Sequence, residues 1–149
     1  MKTPHLLKWA GVALGALVLV AAATRLTAAD AKLATNPGHT IQAQLPAPDG
    51  LAAVLIRSCG DCHSNTISSH WSSRVPPLSW IMARGAREGR KAVNFAEWAG
   101  YSPQQRRAIL ATSCDDARNA TMPMGAYLRL HPDAKLSPRD VETICGAAR

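Results

Sequence analysis

Large aromatic side chains are scarce in this sequence of 149 residues, which has one phenylalanine, two tyrosines and four tryptophans. A globular core of ordinary size needs more large side chains than these, so we expect another apolar body to fill part of its volume. Charged residues make up only 18% of the chain and apolar residues 47%, a balance that excludes a solvated disordered tail. The length suits one domain and excludes an enzyme with a separate cofactor module.

Basic runs interleaved with aromatic residues, the usual footprint of nucleic-acid binding, are missing as well. Lysine and arginine nevertheless outnumber the acidic residues by 17 to 10, which gives a formal net charge of +7. An excess of this size suits an acidic partner protein or an anionic membrane surface. We therefore expect no nucleic acid among the partners.

No apolar run reaches the length of about 20 residues that a membrane-spanning helix needs. The longest run covers residues 9–23 and follows two lysines, Lys2 and Lys8. A basic start followed by an apolar run of this length is typical of an export signal. Residues 1–29 are therefore predicted to be a signal peptide or a membrane anchor.

Two outcomes for this N-terminal segment stay open. Ala23 and Ala29 are candidate cleavage positions, whereas residues 6–23 would anchor the chain to the inner membrane if they are retained. Both outcomes place the rest of the chain in the periplasm, where small domains are often stabilised by disulfides. Residues 30–48 hold three prolines and lack helical periodicity, so they are predicted to form an extended linker.

Alternation of apolar and polar residues with period two is also missing beyond a few residues, so no β-strand is predicted. Helical periodicity begins at residue 49 and predicts one all-α domain over residues 49–149. The first helix is expected over residues 49–60 and the second is expected to begin at Pro77. Two more helices are expected to begin where a serine cap is followed by a proline and then by a side chain that can complete a capping box, at Ser102 and at Ser137.

The motif Cys-Gly-Asp-Cys-His at residues 59–63 is the part of the sequence that indicates chemistry. Its spacing lets the thiols of Cys59 and Cys62 add to the two vinyl groups on one edge of a haem, with His63 as an axial ligand of the iron. A thiol redox centre and half of a zinc site are the alternatives. The redox centre expects a βαβ context and the zinc site needs two more ligands at short spacing, and neither is present. The motif therefore predicts one covalently attached haem c.

The second axial ligand of the iron has to come from outside this motif. Met122 is our choice, because its thioether would give the His/Met coordination that raises a reduction potential, and Pro123 fixes the chain beside it. Met124 is an alternative, since a methionine side chain can turn about three flexible bonds. His70 and His131 are further alternatives as nitrogen ligands.

Five blocks of sequence follow one another in an order and spacing that resemble the bacterial haem-binding domain family of small, N-terminally anchored c-type cytochromes. The blocks are CGDCHSN (59–65), VPPLSW (75–80), REGRKAVNFAEW (87–98), Met122–Pro123 and LHPDAKLS (130–137). The resemblance implies a small cytochrome c-like helical domain wrapped around one haem c. It implies attachment through Cys59 and Cys62, with His63 as proximal and Met122 as distal ligand.

Four of the large rings of the predicted domain are candidates for the walls of the haem site, although the hydrophobic core would bury them equally well. They are Trp80, Phe95, Trp98 and Tyr127.

Cys114 and Cys145 are the two cysteines outside the motif, and each lies on the apolar face of a predicted helix. In an exported protein, two such cysteines pair more often than not. We therefore predict a disulfide between them, which would brace the loop that holds Met122.

These observations predict a mono-haem c-type cytochrome that carries single electrons at the periplasmic face of the inner membrane. The alternatives are a haem-based sensor of small ligands such as CO, NO or peroxide, and an accessory haem subunit of a membrane oxidoreductase. No Ser/His/Asp triad, carboxylate pair or phosphate-binding loop is recognisable, so we expect an electron carrier and not an enzyme. The expected partner is a redox protein that is acidic or membrane-bound.

Overall fold

The computed structural model describes residues 3–31, 33–45, 50–67 and 70–149. Every regular element within these ranges is helical and none is a β-strand, which confirms the prediction of an all-α fold. The α-helices are α1 (Thr3–Ala31), α2 (Ile41–Gln44), α3 (Leu51–His63), α4 (Leu78–Ala92), α5 (Pro103–Arg118), α6 (Gly125–Leu128) and α7 (Pro138–Ala147). Short 3₁₀ helices occur at Pro37–His39, Trp71–Ser73, Phe95–Gly100 and Pro132–Ala134.

The two predicted capping boxes are present at the starts of α5 and α7. At α5, the Ser102 hydroxyl accepts a hydrogen bond from the Gln105 N–H, and the Gln105 side chain accepts one from the Ser102 N–H. Ser137 and Asp140 make the same reciprocal pair at α7. Each box gives partners to backbone donors that the helix itself leaves unpaired, so both helices begin where the sequence indicates.

The start of α3 differs from the expected one. Its predicted cap at residues 48 and 49 lies outside the described residues, and the N-cap position is held by Gly50. The φ of Gly50 is +65°, in the left-handed region that glycine enters without strain. The helix then runs to His63, so the whole CGDCH motif forms its last turn.

One hydrophobic core joins α3, α5, α7 and the 3₁₀ helix Phe95–Gly100. The fully buried large side chains of this core include Leu55, Phe95, Trp98 and Ile144. Because α3 packs against α7 and α4 as well, its last turn is held between the core and α4. The motif is therefore fixed on a rigid element and not on a loop.

Residues 33–45 belong to this folded body, which corrects the prediction of an extended linker over residues 30–48. The Leu33 N–H donates to the Asn65 carbonyl oxygen at 3.0 Å, and the Asn65 side-chain amide donates to the Ala34 carbonyl oxygen at 2.7 Å. Ile41 is fully buried in the core. The prolines of this segment suggested an extended chain, but tertiary burial of Ile41 stabilises the short helices on either side of Thr40.

The predicted N-terminal hydrophobic segment, residues 1–29, falls mostly within α1, and α1 contacts α4. In the described part of the chain, no helix is long and apolar enough to cross a membrane. The anchor over residues 6–23 stays a prediction.

Cys114 of α5 and Cys145 of α7 are joined by a disulfide bond, with their Cα atoms 4.8 Å apart. The bond connects the two helices that flank residues 119–137. Both ends of this connecting segment are therefore fixed to the core, as the sequence predicted.

We expect removal of the disulfide in a Cys114→Ala/Cys145→Ala double variant to lower the free energy of unfolding by about 3 to 4 kcal/mol. The bond closes a loop of 31 residues, and the chain-entropy model gives a loss of this size. Urea unfolding of the variant beside the oxidised and reduced wild-type protein measures the difference. Equal midpoints and slopes for the variant and the oxidised wild type would contradict this expectation.

Candidate functional site

A cavity of about 530 Å³ lies at the last turn of α3 and is lined by α4, by α5 and by the chain after α5. Its volume is in the range of small-molecule and cofactor sites. The lining includes the side chains that the sequence singled out as haem ligands, namely Cys59, Cys62, His63, Met122 and Met124. The fold thus brings both thiols, the imidazole and the two candidate thioethers to one cavity.

Two glycines of α4 lie one turn apart and face the motif. A Cβ atom added at Gly89 would lie 2.5 Å from the carbonyl oxygen of Cys62 and 3.0 Å from its carbonyl carbon, so only glycine permits this approach. At Gly85 the added Cβ would lie 3.5 Å from the Cys62 Sγ, which is ordinary contact. Glycine in the interior of a helix lowers the stability of that helix. The signal that identifies their role is the spacing i, i+4, which places both on one face of the helix.

The ring of His63 is oriented by the chain that follows α4. Its Nδ1 lies 3.2 Å from the carbonyl oxygen of Val93. A carbonyl oxygen only accepts, so Nδ1 carries the proton and donates it, and Nε2 is left with a free electron pair. A hydrogen bond donated by the other ring nitrogen is what orients a histidine toward a metal.

The two motif thiols lack the character of a redox pair. Burial raises the pKa of Cys59 to about 12, with the neighbouring Cys62 adding to the shift, and burial also raises the pKa of Cys62. Reactive dithiols have a lowered pKa instead. In the described ranges, the one group of three or more side chains able to share a metal ion contains neither cysteine. The thiol-redox and zinc alternatives therefore gain no support from the structure.

The methionines lie on a short segment that is tied to the end of α5. Ala120 has a φ of +52°, in the left-handed region that often ends a helix. The Thr121 hydroxyl is 2.5 Å from the Asp116 Oδ1 and 3.2 Å from the Asp116 carbonyl oxygen. Met122 is 39% exposed and Met124 is 47% exposed, and both line the cavity. The geometry keeps both sulfurs as candidates for the distal position.

Only two of the four predicted aromatic contacts reach the cavity. Phe95 and Tyr127 line it, whereas Trp98 is buried in the core and makes no part of the lining. Trp98 packs behind Phe95, with 6.2 Å between the ring centroids. Trp80 is 38% exposed and lies on another face of α4 from Gly89. Sequence periodicity predicts that a ring is buried, but it does not predict whether the ring faces the core or the cavity.

The two histidines that were alternative iron ligands lie outside the cavity lining. His70 and His131 contact each other edge to face, with ring centroids 4.5 Å apart, and His131 also stacks on Tyr127 at 4.3 Å. Burial lowers the pKa of His131, and His70 adds to the effect, so the ring is neutral near pH 7.

Tyr127 links these histidines to the motif. Its hydroxyl donates to the Oδ2 of Asp61, which lies between the two motif cysteines, at 3.0 Å. Burial, with the Asp61 carboxylate as the next cause, raises the pKa of Tyr127. The phenol therefore stays protonated as the donor. Sequence reasoning missed Asp61, because a variable position of a motif carries no signal of its own.

Comparison with known proteins gives one match. The model of a family described as "Haem-binding domain" matches residues 16–148, which is most of the chain. No curated protein and no solved structure matches the chain significantly.

We expect a Gly89→Ala variant to lose about 1 to 3 kcal/mol of unfolding free energy, as overpacked sites do. The new Cβ would meet the backbone of Cys62, which cannot turn aside as a side chain can. Gly85→Ala is the matched control, because it gains the same helix propensity of about 1 kcal/mol without that contact. Urea unfolding of both variants tests this, and equal stability of the two would contradict the role assigned to Gly89.

Proposed function

This chain belongs to the haem-binding domain family, and we propose that it is a mono-haem c-type cytochrome that carries single electrons in the periplasm. The observation that supports the proposal most directly is that Cys59, Cys62, His63 and Met122 all line one cavity. Such a cytochrome uses this donor set, with two thiols for attachment and with an imidazole and a thioether as ligands of the iron.

The cavity has the volume of a cofactor site and a wall whose polarity suits a haem. Its wall is mainly apolar and includes Phe95, Ile109, Ala117 and Ile144. An apolar macrocycle in this space would supply the large buried body that a chain with one phenylalanine lacks. When bound, the haem supplies an iron that takes up and releases one electron.

Cys59 and Cys62 hold the group covalently in this proposal. Each thiol would add across one vinyl group, with the sulfur bonding one vinyl carbon and the thiol hydrogen going to the other, so that no oxidant is needed. Gly89 contributes by letting α4 pack directly on the backbone of Cys62. The attachment edge is thereby fixed against two helices.

His63 and Met122 would hold the iron. The Val93 carbonyl oxygen keeps the proton of His63 on Nδ1, which would leave Nε2 to bind the metal. Thr121 fastens the start of the methionine segment to α5 through Asp116. With both ligands provided by the chain, an outside ligand has to displace one of them, whereas an electron does not.

The cellular setting is part of the proposal. Residues 1–29 would direct export to the periplasm, where the disulfide between Cys114 and Cys145 can form. The formal net charge of +7 favours a redox partner with an acidic surface.

Covalent attachment is tested by mass. We expect the protein, expressed together with a haem-maturation system, to gain the mass of one haem that survives acid denaturation. A Cys59→Ala/Cys62→Ala double variant should lose this addition, and Cys114→Ala/Cys145→Ala should keep it. An unmodified wild-type polypeptide would contradict the proposal.

The distal ligand is tested by the weak sulfur-to-iron charge-transfer band at the red end of the oxidised spectrum. We expect Met122→Ala to remove this band and Met124→Ala to preserve it, because Met122 precedes the proline that fixes the segment. The reverse pattern would assign the ligand to Met124. A band that survives both substitutions would contradict methionine ligation.

The same preparation separates the electron carrier from the sensor. A six-coordinate iron should be reduced and reoxidised rapidly and should bind CO slowly or not at all near neutral pH. The Met122→Ala variant should bind CO readily, since it lacks the competing sulfur. Rapid CO binding by the wild-type protein would favour the sensor.

A further inference from the structure

We propose that Asp61, His70 and His131 form a second metal site, which binds a divalent transition-metal ion next to the haem cavity. One carboxylate oxygen of Asp61 and one ring nitrogen from each histidine lie within 4.8 Å of one another. Two imidazoles and one carboxylate are a donor set that such ions prefer. The proposal is independent of the haem function, because none of the three side chains is a haem ligand in it.

The three ligands come from separate parts of the chain and are withdrawn from solvent. Asp61 belongs to the last turn of α3, His70 precedes the 3₁₀ helix Trp71–Ser73, and His131 precedes Pro132–Ala134. Asp61 and His131 are buried, with His131 only 1% exposed, and His70 is half-buried. Burial removes competing water from the donors, so an ion would meet groups that are already assembled.

The hydrogen bonding of His131 leaves one ring nitrogen for an ion. Its Nε2 lies 3.0 Å from the hydroxyl oxygen of Ser72, which is fully buried. Its Nδ1 is buried and has no hydrogen-bond partner among the described residues. A buried polar atom without a partner costs free energy. With an ion on Nδ1, Nε2–H would donate to Ser72 and both nitrogens would be satisfied.

The carboxylate of Asp61 is oriented in a similar way. The Tyr127 hydroxyl donates to its Oδ2 at 3.0 Å, and the Tyr127 ring stacks on His131. Ser72 and Tyr127 therefore stand behind two of the three ligands, as the outer hydrogen-bond partners of metal ligands do.

The distances require a small adjustment. Ligand atoms held at about 2.0 to 2.2 Å from a zinc ion lie closer together than 4.8 Å. His70 is the ligand with room to move, since it is half-buried and lies just before a short 3₁₀ helix. Three protein ligands would leave at least one coordination position for water or another small ligand.

The probe is Zn²⁺, added to the purified full-length protein after treatment with a chelator and alkylation of any free thiol. We expect isothermal titration calorimetry to show saturable binding of one Zn²⁺ per chain and no binding of Mg²⁺. Elemental analysis of the dialysed complex checks the ratio. A rise in the unfolding temperature with Zn²⁺ gives a readout that does not depend on haem.

His70→Ala should weaken Zn²⁺ binding at least about tenfold, since even the loss of an outer partner has an effect of this size. His131→Ala should do the same if it folds, and His70 serves as the main test because it is less buried. His39→Ala is the matched control: His39 is half-exposed beside Glu97, outside the cluster, and its loss should leave binding unchanged.

Absence of Zn²⁺ binding by the wild-type protein would overturn the proposal and leave the cluster as a hydrogen-bonded group only. Unchanged binding in a folded His70→Ala variant would overturn it as well, as would equal losses in His70→Ala and His39→Ala. Haem content, read from the absorbance of the same samples, keeps this result separate from the cytochrome proposal.

Discussion

At Gly89, α4 touches the carbonyl group of Cys62 with no side chain between them, and the cavity depends on that contact. The contact fixes α4 against the last turn of α3, and α4 in turn positions Val93, whose carbonyl oxygen orients His63. The two motif thiols and the His63 imidazole are therefore positioned by one helix pair. Any backbone change that separates the two helices would disturb both together.

The two candidate thioethers depend on less regular structure. Met122 and Met124 follow the end of α5 on a segment whose fixed points are the Thr121 contact with Asp116 and, further away, the disulfide. The methionine side of the cavity is expected to be less stable than the side formed by α3 and α4, because local opening is easiest where few buried contacts hold the chain. Local opening of the cavity is therefore expected on the methionine side.

Features encoded by neighbouring residues could be predicted from the sequence. The boxes at Ser102 and Ser137, for example, act within one turn of a helix. Features that depend on distant residues could not be predicted. The burial of Ile41 and the close approach at Gly89 require partners far along the chain, and Trp98 shows that a ring can be fully buried without reaching the site.

The burial of Ile41 also bears on the order in which the protein folds. Residues 33–45 leave the ribosome before the 3₁₀ helix Phe95–Gly100, against which they pack. Contacts between distant segments form only after the intervening loop has been closed, at an entropic cost. Residues 33–45 can therefore pack only after the segment that contains Trp98 has been synthesised. Until then, Ile41 is an exposed apolar side chain on the nascent chain.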